Sequence, residues 1–286
     1  MEQNELSIAA FDAAIQDELM VHGDPRGELM ALQERQARGE NSADIERRVR
    51  VLIRKHTREL LGPLAKVLTQ VEYERGEPVH ASLQTRPQTL FETLDDRRWQ
   101  TLRGLDVAAC NWTGLIGERK HRTTPPRMGE LINHCRSLTD VRGLAARSMP
   151  ERPCERVVHA EVHEVTLDKV FETFPSLRAL TWRSVHELPW VHPRVAQLES
   201  LTLGGRYQQS VEWRAGVVTL HGEPSGYDLA FLATCPSLVR LEVPEDLLGY
   251  AHDMRHLSEC FRVAREHGAP VVLVPHVYGR VGTVWY

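Results

Sequence analysis

The sequence predicts an α/β protein in which a small helical domain precedes an irregular solenoid of parallel strands and short helices. Three observations carry that prediction. In a degenerate repeat, an apolar residue is followed three and five positions later by two more, most clearly at Leu177-x-x-Leu180-x-Trp182, Leu198-x-x-Leu201-x-Leu203 and Leu238-x-x-Leu241-x-Val243. Weaker copies start at Leu138, Val157 and Val217, and successive starts lie 19, 20, 21, 19 and 21 residues apart. A step this constant means that one strand-plus-return unit is stacked on the next. Short apolar helical patterns lead into several of these strands, which supplies the crossover that parallel pairing needs. Upstream of residue 67 the apolar period is helical instead.

The first helix is expected over residues 5 to 20, where Leu6, Ala9, Ala10, Ala13, Ala14 and Ile15 recur at helical spacing and Leu19 and Met20 close the stripe. Gly23-Asp24-Pro25 stops it and starts the next, with Asp24 as N-cap and Pro25 as first helical residue. Leu29, Met30, Leu32 and Gln33 continue that second helix, and Gly39 to Ser42 breaks it. A third helix is expected from Asp44 to Leu61, with Ile45, Val49, Leu52, Ile53, His56 and Leu60 on one face and Arg47, Arg48, Arg50, Arg54 and Arg58 mostly elsewhere. Gly62-Pro63 ends it.

The run Gly23-Asp24-Pro25-Arg26-Gly27-Glu28-Leu29-Met30-Ala31-Leu32-Gln33, followed by His56 through Leu64 (HTRELLGPL), resembles a known module. It is similar to the repeat-companion helical domain that precedes leucine-rich-repeat regions in many bacterial proteins of unassigned function. The resemblance covers roughly residues 6 to 66 and implies a helical domain over 1–66 with a repeat array behind it.

Residues 67–98 are a transition or N-terminal cap: VLTQVEYERGEPVHASLQT alternates like a hairpin, and TLFETLDDRRW has the pattern of a short helix. The remaining 99–286 form the repeat domain. Leu102-x-x-Leu105-x-Val107-x-x-Cys110 extends the repeat to a turn position, and with the later units it makes residues 99 to 243 look like a leucine-rich-repeat array. Only Cys110 fills the turn position where that family places Asn, so the array is expected to be irregular, with shorter strands. The 36-residue gap before Leu138 contains a polar, proline-ended insertion, Glu118 to Pro126. Helices are expected at Met128 to Cys135, Leu167 to Phe174, Val191 to Leu198 and Leu229 to Cys235. A longer helix, Met254 to His267, and a strand, Val271 to Val274, cap the far end.

The chemistry-bearing residues argue for binding. Five cysteines without a Cys-x-x-Cys pair make neither a disulfide framework nor a zinc site. Cys135, Cys154 and Cys235 share a pre-strand position filled elsewhere by large apolar groups, which assigns them to the core. No signal peptide or membrane span is legible, so a cytoplasmic setting is expected. No phosphate loop, nucleophile elbow or catalytic triad is present, so neither catalytic residues nor a cofactor are assigned. His159, Glu161 and His163 share one side of a strand, a spacing compatible with a metal-dependent hydrolase, but no second ligand cluster accompanies them and no metal is assigned. A net charge of -4 gives no global pull on nucleic acid, although the basic stretches 47–58 and 119–127 keep a nucleic-acid-associated role as the alternative.

Strand alternation turns the residues flanking each middle Leu away from the core. Among them, Asp106, Asp140, Arg142, His159, Glu161, His221, Arg240 and Glu242 are the expected contacts to a partner protein, around a neutral centre of Ala179, Thr181, Ser200 and Thr202. The sequence therefore reads as a scaffold or interaction module, presenting a concave sheet face to another protein rather than to a membrane.

Overall fold

The computed structural model describes residues 13–40, 42–84, 89–90, 92–108, 128–183, 189–204, 210–222, 224, 226–245, 247–250 and 254–275. Cys110 and the 119–127 insertion lie outside them. The chain forms two compact units, Met1–Pro126 with His134–Leu138, and Arg127–Asn133 with Thr139–Tyr286.

In the first unit, residues 13–21 are helical and end at Gly23, whose positive φ of 67° reverses the chain. Helix α1 (Pro25–Ala37) starts as expected, with the Asp24 side chain accepting from the Arg26 backbone N–H at 2.9 Å. Gly27 has no room for a side chain, because a Cβ there would lie 2.8 Å from Met20 N. Helix α2 (Ala43–Leu61) is capped by Ser42 and closed by Gly62. Leu29, Leu32, Ile45, Leu52 and Leu60 form the core between α1 and α2, with Val49, Ile53 and Tyr73 packed against it.

Strands β1 (Leu68–Glu74) and β2 (Glu77–Leu83) make the expected hairpin, turned by Arg75 and Gly76 at positive φ. Strand β3 (Gly104–Asp106) runs parallel to β2. In TLFETLDDRRW, where a short helix is expected, residues 89–90 are helical, turns follow at 92–95 and a 3-10 turn at Arg97–Gln100, seated by Trp99, which is fully buried and donates to Thr93 O at 2.8 Å.

The second unit carries β4 (Asp140–Ala145), β5 (His159–His163), β6 (Ala179–Arg183), β7 (Ser200–Gly204), β8 (Ser210–Arg214), β9 (Val217–His221), β10 (Arg240–Pro244) and β11 (Val271–Val274). Within each unit the strands lie side by side in chain order. Of the nine pairings described within the two units, six are parallel, so the described fold is mixed α/β and mostly parallel. Helices α3 (Met128–His134), α4 (Leu167–Thr173), α5 (Gly226–Thr234) and α7 (Met254–Glu266) precede β4, β6, β10 and β11, with the short α6 (Leu247–Tyr250) following β10.

Three expectations need correction. The helix over Val191 to Leu198 is replaced by 3-10 turns at Pro189–Val191 and Pro193–Gln197, because proline lacks the N–H that a longer helix would require. Between β7 and β9 the chain inserts β8, antiparallel to both, so two reversals rather than a helix restore the strand direction. Arg214, which the repeat register puts three residues before Val217 at the position shared by Cys135, Cys154 and Cys235, therefore lies on strand β8 instead. Finally, Gly143 does not fill the third apolar slot of its repeat: a bulge in β4 lets the buried Leu144 take it, opposite Val162. The other inward positions, including Leu180, Trp182, Leu201, Leu203, Leu241 and Val243, are buried as the period requires, as are Cys135, Cys154 and Cys235.

Candidate functional site

The registers of β5 to β10 place Glu161, Thr181, Thr202, Glu212, Thr219 and Glu242 opposite one another on six successive strands. At a strand spacing of about 4.8 Å this row is about 24 Å long. Beside it runs a second row, His163, Arg183, Gly204, the Ser210 position and His221. Inward-pointing neighbours such as Leu180, Leu201, Val211, Trp213 and Val218 are buried, and that packing holds the row from beneath.

Each glutamate of the row sits in an ionic cluster. Glu161 accepts from Arg183 Nε at 2.7 Å, with His163 Nε2 3.4 Å from the same Oε1. Burial pushes its carboxyl up, but the hydrogen bond from His163 and the charge of Arg183 outweigh that and hold it below the usual glutamate range. Glu212 repeats the arrangement, with Arg214 Nε at 2.6 Å and His221 Nε2 at 3.3 Å. Its carboxyl is also lowered, first by the hydrogen bond with His221, against burial, and then by Arg214. Glu242 accepts from Thr219 Oγ1 at 2.9 Å and from Arg240 Nη2 at 2.5 Å. Between the first two clusters lie Thr181 and Thr202, both partly exposed, whose hydroxyls have no hydrogen-bond partner among the described residues.

The expected contact residues fall into five places. Asp140 and Arg142 bind each other through two hydrogen bonds of 3.1 and 3.0 Å, with His159 Nδ1 3.9 Å from the Asp140 carboxylate. Glu161 and His221 belong to the two Glu–His–Arg clusters, and Arg240 and Glu242 to the third. Asp106 is in the first unit, where its carboxylate accepts from the Ala108 backbone N–H at 2.8 Å. Arg183, Glu212 and Arg214 escaped the sequence reading. Arg183 lies two residues beyond Thr181, one step past where the repeat was read. Glu212 and Arg214 sit in SVEWR, whose own polar-apolar alternation marks a strand that the 20-residue period hides.

His159, Glu161 and His163 do share a side of β5, yet His159 faces Asp140 while His163 faces Glu161, and a guanidinium already occupies that central carboxylate. Among the described residues no group of three or more His, Cys, Asp or Glu is arranged to hold a metal ion. The buried thiols of Cys154, Cys235 and Cys260 are pushed up by burial, Cys260 to about 12, the opposite of what a nucleophile needs. No family model matches the chain. No curated protein or solved structure matches it either. Among the described residues no helix is long and apolar enough to cross a membrane.

Proposed function

We propose that the chain is a leucine-rich-repeat-like solenoid behind a repeat-companion helical module, and that it binds another protein through the solvent-facing side of the second unit's sheet. The observation that carries this reading is the row from Glu161 to Glu242, a rigid line of polar groups across six paired strands. Its three glutamates are each matched by an arginine, Arg183, Arg214 or Arg240, so the face is close to neutral and a partner meets no large field of one sign. Thr181 and Thr202 offer unused hydroxyls on a low floor between charged clusters, which suits an approaching backbone or small side chain. The clusters orient the partner, since charged groups at an interface fix register more than they add affinity. The protein acts by presentation, without bond chemistry, a cofactor or a metal.

Reversing charge on the neighbouring strands β4 and β5, at one end of the face, tests the reading. Wild type and the double variant Arg142→Glu, Glu161→Arg are compared as baits for proteins captured from a lysate, with circular dichroism as the folding control. Proteins held by wild type are expected to be lost from the variant. Identical capture by a folded variant contradicts the proposal.

A further inference from the structure

Helix α2 is amphipathic in an unusual way. One face supplies Ile45, Leu52, Leu60 and Leu61 to the interior of the first unit. At 100° per residue, Arg47, Arg48, Arg50, Arg54 and Lys55 fall within a sector of about 160° on the other face, and Arg58 follows one turn after Arg54, past the break at His56. All six cations are exposed, and no acidic residue interrupts the stretch from 47 to 58.

The six are not equally engaged. Towards the start of the helix Arg47 lies 3.6 Å from Asp44, Arg48 lies 2.7 Å from Glu28 and Arg50 lies 3.9 Å from Glu46. Arg54, Lys55 and Arg58 form no ion pair among the described residues. Cations near a helix C-terminus are favourable in themselves, but one or two satisfy the dipole. Three unpaired cations in the last turns, continuous with three more, leave a positive strip about 16 Å long.

We infer that this strip is a docking surface for the phosphate backbone of a double-stranded nucleic acid. A polyanion is the partner that matches a row of exposed cations whose last three, Arg54, Lys55 and Arg58, have no acidic partner among the described residues. Single-stranded binding draws on aromatic side chains to stack bases, and the strip has none. Anchoring to a lipid surface draws on several apolar side chains among the cations, and Val51 is the one exposed apolar residue there. What remains is contact with phosphates alone, blind to base sequence and strongly dependent on salt. This surface belongs to the first unit and is separate from the sheet face proposed to bind protein.

The test is fluorescence anisotropy of the full chain with a labelled DNA duplex of about 20 base pairs and arbitrary sequence. Three phosphate contacts predict a roughly fortyfold loss of affinity between about 50 and 200 mM salt, from a slope of about -0.9 per phosphate. The variant R54Q/K55Q/R58Q keeps good helix formers at exposed positions, and circular dichroism confirms its fold. It is expected to bind at least tenfold more weakly at about 50 mM salt, whereas R178Q, on the second unit, is expected to bind like wild type. The inference is overturned by absence of duplex binding at low salt, by equal binding of a folded triple variant, or by binding only to phosphatidylcholine vesicles containing phosphatidylserine.

Discussion

At the joint between helices and hairpin in the first unit, Gln33 and Asp24 bond to the backbone, whereas on the sheet of the second unit the polar side chains bond chiefly to one another. Gln33 grips the β1–β2 turn from both sides, donating to Tyr73 O at 2.5 Å and accepting from Gly76 N at 3.0 Å. Asp24 caps α1 and also binds Arg26, which reaches Glu77 on β2 at 3.3 Å. Gly76 completes the junction, since a Cβ there would stand 3.1 Å from Met30 Cγ and 3.2 Å from Arg26 O. The Gly-Asp-Pro-Arg-Gly-Glu run is thus the joint between helices and hairpin. By contrast Glu161, Glu212 and Glu242 touch arginine, histidine and threonine side chains on a partly exposed face. Backbone-directed contacts secure the fold, and side-chain pairs at a surface add little stability, which leaves them free to serve recognition.

That comparison can be broken by measurement. The largest effect sets the scale: Leu201→Ala, at a fully buried position beside Thr202, is expected to cost about 2–5 kcal/mol in urea denaturation. Gln33→Ala comes next, at about 1–3 kcal/mol, because two turn groups lose their partners. If it costs nothing, the joint is not what holds the hairpin.

Smallest is the effect of Glu161→Gln with Glu212→Gln, expected to stay within about 1 kcal/mol near neutral pH. Both carboxyls are held below their ordinary range in the folded chain. Their contribution is therefore complete above the ordinary glutamate range of about 4.3 and is lost as pH falls below it. The gap between wild type and the double variant should narrow as pH falls below that range. A gap that widens there reverses the sign of the argument.

Much of this architecture was legible because the apolar period records burial directly. Leu177, Leu180 and Trp182 repeat in Leu198, Leu201 and Leu203, and the register of β6 on β7 follows. The failures have local causes. Pro189 and Pro193 shortened a helix that the apolar pattern alone favoured, and the bulge at Gly143 moved one slot by a residue. β8 was hidden because its alternation occupies the space where the repeat leads one to look for a crossover. The outward positions were legible from alternation, but the pairing of Glu161 with Arg183 and of Glu212 with His221 depends on which strands become neighbours, and a one-dimensional pattern does not carry that.

The most direct test of the sheet-face account places bulk on the floor of the row while every glutamate and arginine of its clusters is kept. Thr181→Lys with Thr202→Lys leaves the core intact and should change stability by no more than about 0.5 kcal/mol per site. Quantitative mass spectrometry of proteins captured by wild type and by this variant is expected to show wild-type partners depleted at least tenfold. A folded variant that captures the same proteins at the same level would show that binding, if any, lies elsewhere on the molecule.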